Sequence, residues 1–193
     1  MTPPSHLVHG QSGDRGGRGV PSSGGVPSAG LVSSIVADCQ RSRRERGQPP
    51  LKTTLDVSQA HEQAVLADAT VVRRALEPLV RRALESAAQH DANSEMPAFA
   101  EVVVTTVDLG DAIEIEVADS GPALPRHVQT WLNEKTGRSY HANVVPEGAG
   151  LALAAVRAVI ARIGGDMHAT NCPEGGVAIT LRLPRRQARR MVA

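Results

Sequence analysis

The sequence predicts an α/β chain, and three stretches carry that prediction. A long apolar stripe of helical period runs from Asp68 to His90, an alternating hairpin spans residues 100–118, and Val145–Gly165 leads from a glycine loop into an apolar helix. The last of these, VVPEGAGLALAAVRAVIARIGG, places Gly148 and Gly150 directly before the helix. Glycines let the backbone approach a ligand closely, and the unpaired N–H groups of a first helical turn attract an anion. The same pattern also fits ordinary loop glycines before a packed helix, so the rest of the chain has to decide between the two readings.

With 193 residues and 41% hydrophobic content, the chain can build one well-buried core with a tail. A formal net charge of +1 supplies no global field for nucleic acid or an anionic membrane, and 2% aromatic residues leave no stacking platform for RNA. Cys39 and Cys172 are isolated in sequence, which fits reduced thiols rather than a disulfide framework or a zinc site. No apolar run is long enough for a membrane span and no secretory signal is evident, so a cytoplasmic location is expected.

Residues 1–29 are rich in Gly, Ser and Pro without any period and read as a disordered tail, whose GDRGGRG run is a single short RGG-like copy. Residues 30–47 place Leu31, Ile35, Val36 and Cys39 on one face of an amphipathic helix with a basic end, which raises the option of a homodimer through this segment. Leu51–Asp56 reads as a short strand, Val57–Glu62 as a connection and Ala64–Ala67 as a second short strand. In the helix opened by Asp68, Val72, Leu76, Leu79, Val80 and Leu84 belong to the stripe, while Arg73, Arg74, Arg81 and Glu85 lie off it. Pro78 breaks the pattern, since a proline inside a helix removes a hydrogen bond and usually kinks it.

Ala100–Val107 and Ala112–Ala118 alternate around Leu109-Gly110-Asp111 as an antiparallel hairpin. The turn DSGPALP follows at residues 119–125, then a short helix over Arg126–Asn133 and a polar loop over Glu134–Pro146 that could act as a lid. The helix Gly150–Ile163, a strand over Asp166–Thr170, a turn through Pro173–Gly176 and a strand over Val177–Leu183 complete the order, ahead of a basic tail at 185–193.

This order of helix with leading aspartate, hairpin, DxG turn, variable loop, glycine loop on a helix and closing strand ending LRLP resembles the ATP-binding domain of sensor histidine kinases, within the GHKL ATPase family. The resemblance covers residues 51–184. It implies a two-layer α/β sandwich, a mixed and mostly antiparallel sheet faced by helices, with ATP as the ligand. It also implies that Asp119 accepts a hydrogen bond from the adenine amino group and that Gly121 permits close approach of the base. Gly148 and Gly150 would face the phosphates, and Leu151 and Leu153 would be packing residues behind them. Ala123 and Ala152 stand where the family usually has glycine.

The main departure lies in the long helix, where the resemblance puts Pro78 and Arg82 at the two polar positions of the magnesium-binding motif. The second is normally an asparagine whose oxygen binds the metal. A guanidinium has no lone pair to offer, and magnesium takes oxygen ligands. A register shifted by one turn would bring Ser86 there. Arg82 could instead supply a cation to the triphosphate without metal, point to solvent, or pair with Glu85 or an acid across the groove.

No histidine in residues 30–47 could be a phosphoacceptor, and His90, His127, His141 and His168 read as surface residues. Glu114 and Glu116 alternate with isoleucines as the outer face of a strand. Three functions stay in view: a degenerate nucleotide-binding domain working through a signalling partner, an active kinase subunit that phosphorylates a partner, and an interaction module with a vestigial pocket.

Overall fold

A computed structural model describes residues 28–59, 69–93, 100–135 and 145–184. In chain order the elements are α1 (Ser28–Glu45), β1 (Lys52–Gln59), α2 (Ala69–Asn93), β2 (Glu101–Asp108), β3 (Ala112–Asp119), α3 (Arg126–Asn133), α4 (Gly150–Arg162), β4 (Asp166–Asn171) and β5 (Val177–Pro184). The five strands form one sheet in the order β1-β2-β3-β5-β4. β1 runs parallel to β2 and every other pair is antiparallel, which makes the mixed, mostly antiparallel sheet expected from the sequence.

The strand period of two sorts the side chains. Val102 and Val104 of β2, Ile113, Ile115 and Val117 of β3, and Ile179, Leu181 and Leu183 of β5 are buried under the helices. The opposite face carries polar side chains that pair laterally, with Thr180 donating to Glu116 and Arg182 to Glu114 and Asp111. The helical layer is organised around α2, which packs on α1, α4, β2 and β3 and buries Val72, Leu76, Leu79, Val80, Ala83 and Leu84. The result is the two-layer α/β arrangement.

α1 is an integral part of this layer. Leu31, Val32, Ile35, Val36 and Cys39 are buried in the same core as α2, so the apolar face a homodimer would use is covered from within the chain. Polar contacts fix its position: Arg73 of α2 meets Asp38 at 2.9 Å, and the buried Arg43 donates to the carbonyls of Pro49 and Leu84.

β1 extends to Gln59, beyond the strand expected to stop at Asp56, because pairing with β2 resumes at Gln59 and Val107 after a register shift. The strand expected at Ala64–Ala67 and the helix-opening Asp68 lie outside the described residues, as do most of the 134–146 loop, residues 1–27 and residues 185–193, while Ser28 and Ala29, expected in the N-terminal tail, open α1. α2 continues unbroken through Pro78. The short helix α3 has the bounds expected of it and buries Val128, Trp131 and Leu132. Arg157 of α4 stacks over Trp131 at 4.4 Å from the ring centroid and donates to the Glu134 carbonyl, joining α3 to α4.

Candidate functional site

Asp119 is the last residue of β3, the strand held between β2 and β5. It continues the inward set of Ile113, Ile115 and Val117, so its carboxylate lies beneath α2 instead of in solvent. Its side chain is 1% exposed. A carboxylate so placed needs partners, and three groups supply them. The Gly121 N–H donates to Oδ1 at 2.8 Å, Arg82 Nη1 meets Oδ2 at 3.1 Å, and the Ser86 hydroxyl adds a third hydrogen bond. Burial pushes the Asp119 pKa up, while the Arg82 charge, the Gly121 amide and Ser86 pull it back.

Arg82 and Ser86 stand one turn apart on α2 and share a face. Both sequence registers for the metal position therefore converge on the same carboxylate. Of the roles open to Arg82, the structure takes the pairing with an acid across the groove, and that acid is the residue expected to read adenine. Neither Pro78 nor Arg82 offers an oxygen to a cation, and the Ser86 hydroxyl is engaged with Asp119. Among the described residues no group of three His, Cys, Asp or Glu side chains could hold a metal ion.

The turn after Asp119 is built by close contacts. Gly121 is buried against α2, where a Cβ would lie 2.8 Å from the Ser86 carbonyl carbon. Gly176, with φ +91°, abuts the Asp119 carbonyl so tightly that no side chain fits there. Asn171 at the end of β4 accepts from the Leu124 N–H and donates to the Leu124 carbonyl, each at 2.9 Å, clamping the far end of the turn. Asn133 likewise exchanges two hydrogen bonds with Ala169 and fixes α3 along the outer strand β4.

The glycine loop approaches the same region. Gly148 and Gly150 take φ of +82° and +73°, left-handed values that explain glycine at both positions. A Cβ on Gly148 would be 3.9 Å from Pro125 Cγ, so the loop lies over the start of α3. His127, expected as a plain surface residue, has its Nε2 at 2.8 Å from the Glu147 carbonyl and ties α3 to this loop. The N-cap residue of α4, Ala149, makes no side-chain cap hydrogen bond, so among the described residues the first-turn N–H groups can face an anion.

Leu153 is buried with Val156 and Ile160. Leu151 corrects the packing expectation: it is 90% exposed, because it sits on the first turn and off the face that those three residues share. Ala123 and Ala152 are exposed and neither has positive φ, so alanine fits both positions without strain. The sequence reading missed Asn133, Asn171 and His127, since single polar residues at element ends carry no period.

Comparison with known proteins agrees with this architecture. The family model described as histidine kinase-, DNA gyrase B-, and HSP90-like ATPase matches residues 68–187. The sensor protein KdpD of Escherichia coli is 35% identical over 91 residues, covering 47% of this chain and 10% of that protein. The sensor histidine kinase component HK1 of Mycobacterium tuberculosis is 34% identical over 84 residues, covering 44% of this chain and 49% of that one. The chain thus matches half or less of the length of these relatives.

Among solved structures, the catalytic domain of histidine kinase ThkA superimposes with a TM-score of 0.61 at 18% identity, covering 83% of this chain and 95% of that one. The mycobacterial sensor histidine kinase MprB gives 0.54 at 21% identity, covering 81% and 95%. At these identities the shared property is the fold.

Proposed function

Because this chain belongs to the histidine kinase-, DNA gyrase B- and HSP90-like ATPase family, we propose that it binds adenine nucleotide without magnesium and acts in signal transduction through a partner protein. The observation that carries this reading is the Arg82–Asp119 pair, which puts a cation where the family resemblance expects a metal ligand. Asp119 is an acceptor matched to the exocyclic amine of adenine, and Gly121 holds the turn against α2. The start of α4, where Ala149 makes no side-chain cap bond, is reached through Gly148 and Gly150 and is matched to phosphate oxygens. Arg82 then offsets phosphate charge that a divalent ion would otherwise offset.

Pro78, Arg82 and Ser86, the residues at the expected metal position, do not fit magnesium, the usual cofactor of phosphoryl transfer. Such transfer depends almost wholly on electrostatic positioning, of which the metal is a main part. A second reading, an interaction module with a vestigial pocket, draws on one observation: the Asp119 carboxylate is already bonded to Arg82, Ser86 and Gly121.

Calorimetric titration of the full chain with ATP, once with excess magnesium and once with chelator, separates these readings. Binding that is unaffected by chelator and lost in Asp119→Asn supports the proposal. Binding that requires magnesium overturns the metal-free site and favours an active kinase subunit. No binding to the wild type or to a variant freed of the Arg82 contact leaves the interaction module.

A further inference from the structure

We infer that Arg82 is a latch on the base-reading carboxylate, released when a polyanion draws the guanidinium away, so that phosphate and base binding are coupled through this one side chain. The inference rests on the nucleotide-binding reading above and adds a mechanism that regulates it. Three observations support it. First, Asp119 is sealed: its side chain is 1% exposed, with Oδ1 taken by the Gly121 amide and Oδ2 by Arg82. Second, the seal is uneven. The Gly121 amide is fixed by a turn that close packing against Ser86 and the Asn171 clamp both hold in place. Arg82 is a long side chain, 22% exposed, with one contact at 3.1 Å to this acid. Of the three donors, Arg82 is the one that is both charged and free to leave by side-chain rotation alone; the Ser86 hydroxyl can also turn but carries no charge for an anion to draw away.

Third, the guanidinium has a stronger competing attraction than the carboxylate it covers. A phosphate chain carries several charges and presents oxygens suited to bidentate arginine pairing. Asp119 carries one charge, and burial disfavours that charge. A ligand with a base and no phosphates must break the pair unaided. A ligand with a phosphate chain gives Arg82 a new partner as it leaves. Coupling of this kind is reciprocal, so a phosphate chain and a base supplied as separate molecules should each favour binding of the other.

The test uses the full chain, with adenosine as base probe and inorganic tripolyphosphate as anion probe, in chelator at pH 8, well above the ordinary aspartate range, which favours the carboxylate form. Adenosine binding should tighten on the order of tenfold when tripolyphosphate is present, the scale of one charge-assisted hydrogen bond. Arg82→Gln should bind adenosine tightly without tripolyphosphate and lose the enhancement, and circular dichroism checks that it folds.

Competition between the two probes, or no effect of one on the other, overturns the latch. If ATP still binds the wild type through Asp119 in that case, the nucleotide-binding reading survives. Absence of adenosine and ATP binding in both wild type and Arg82→Gln overturns both. Binding that appears only in Arg82→Gln supports a latch closed tightly enough to hold the wild type shut.

Discussion

Ser86 of α2 lies against Gly121 so closely that a Cβ at position 121 would sit 2.8 Å from the Ser86 carbonyl carbon and 2.7 Å from Asp119 Oδ1. Gly121 does not have positive φ, so its need for glycine comes from packing and not from backbone conformation. Gly121→Ala should therefore destabilise the fold by about 1–3 kcal/mol, the usual cost of overpacking. Denaturant midpoints give the measure. Adding Ser86→Ala should recover only part of the loss, since it removes the hydroxyl and leaves the carbonyl carbon. Full recovery would mean that α2 can shift to make room.

Asp119 gives the fold a pH dependence of defined sign. Its pKa is raised in the folded state, with burial as the largest cause, so the folded chain holds the proton to higher pH than the unfolded chain does. This residue's contribution to stability is thus fully present below the ordinary aspartate range and is lost as pH rises through the raised value. Asp119→Asn removes the titration. The wild type should lose stability relative to this variant as pH climbs above the ordinary aspartate value of about 4. Chemical denaturation of both proteins across that range measures the difference, and a gap widening in the opposite sense would mean that Arg82, Ser86 and the Gly121 amide outweigh burial.

The periodic parts of this fold were legible because periodicity reports burial. The α2 stripe from Val72 to Leu84 and the β2–β3 hairpin follow directly from it. The contacts that shape the site were not legible. Arg82 and Asp119 are 37 residues apart and His127 and Glu147 are 20 apart, and nothing local marks either residue as a partner. Arg82 and Ser86 at a spacing of four were the one available signal, since both had to face whatever lies under that side of α2. Leu151 misled for a related reason: an apolar residue at a helix start reads as core, although a first turn can project past the sheet it packs on.

Asn171 tests how firmly the turn is held. Its side chain satisfies both the N–H and the carbonyl of Leu124, so Asn171→Ala leaves two backbone groups to find other partners. The expected loss is about 1–3 kcal/mol. Asn171→Asp keeps the acceptor and removes the donor, and should fall between wild type and alanine. Hydrogen exchange at the Leu124 amide reads the clamp directly: it should quicken strongly in the alanine variant and little in the aspartate variant.

Pro78 offers a case in which a substitution should strengthen the protein. α2 runs from Ala69 to Asn93 without a break, yet Pro78 has no N–H for the Arg74 carbonyl four residues earlier. Proline in a helix interior costs about 3 kcal/mol relative to alanine. The half-buried ring recovers part of that through packing, and Pro78→Ala should raise stability by about 1–2 kcal/mol. The neighbouring turn supplies the control. Cys39 of α1 donates its thiol to the Glu77 carbonyl at 3.8 Å, and burial pushes that thiol up to about 11. If Pro78→Ala stabilises while the thiol stays slow to alkylate, the α1–α2 contact does not depend on the proline. If stability falls and Cys39 becomes reactive, the path of α2 at Pro78 is what seats α1, and the proline is retained for that packing despite its cost to the helix.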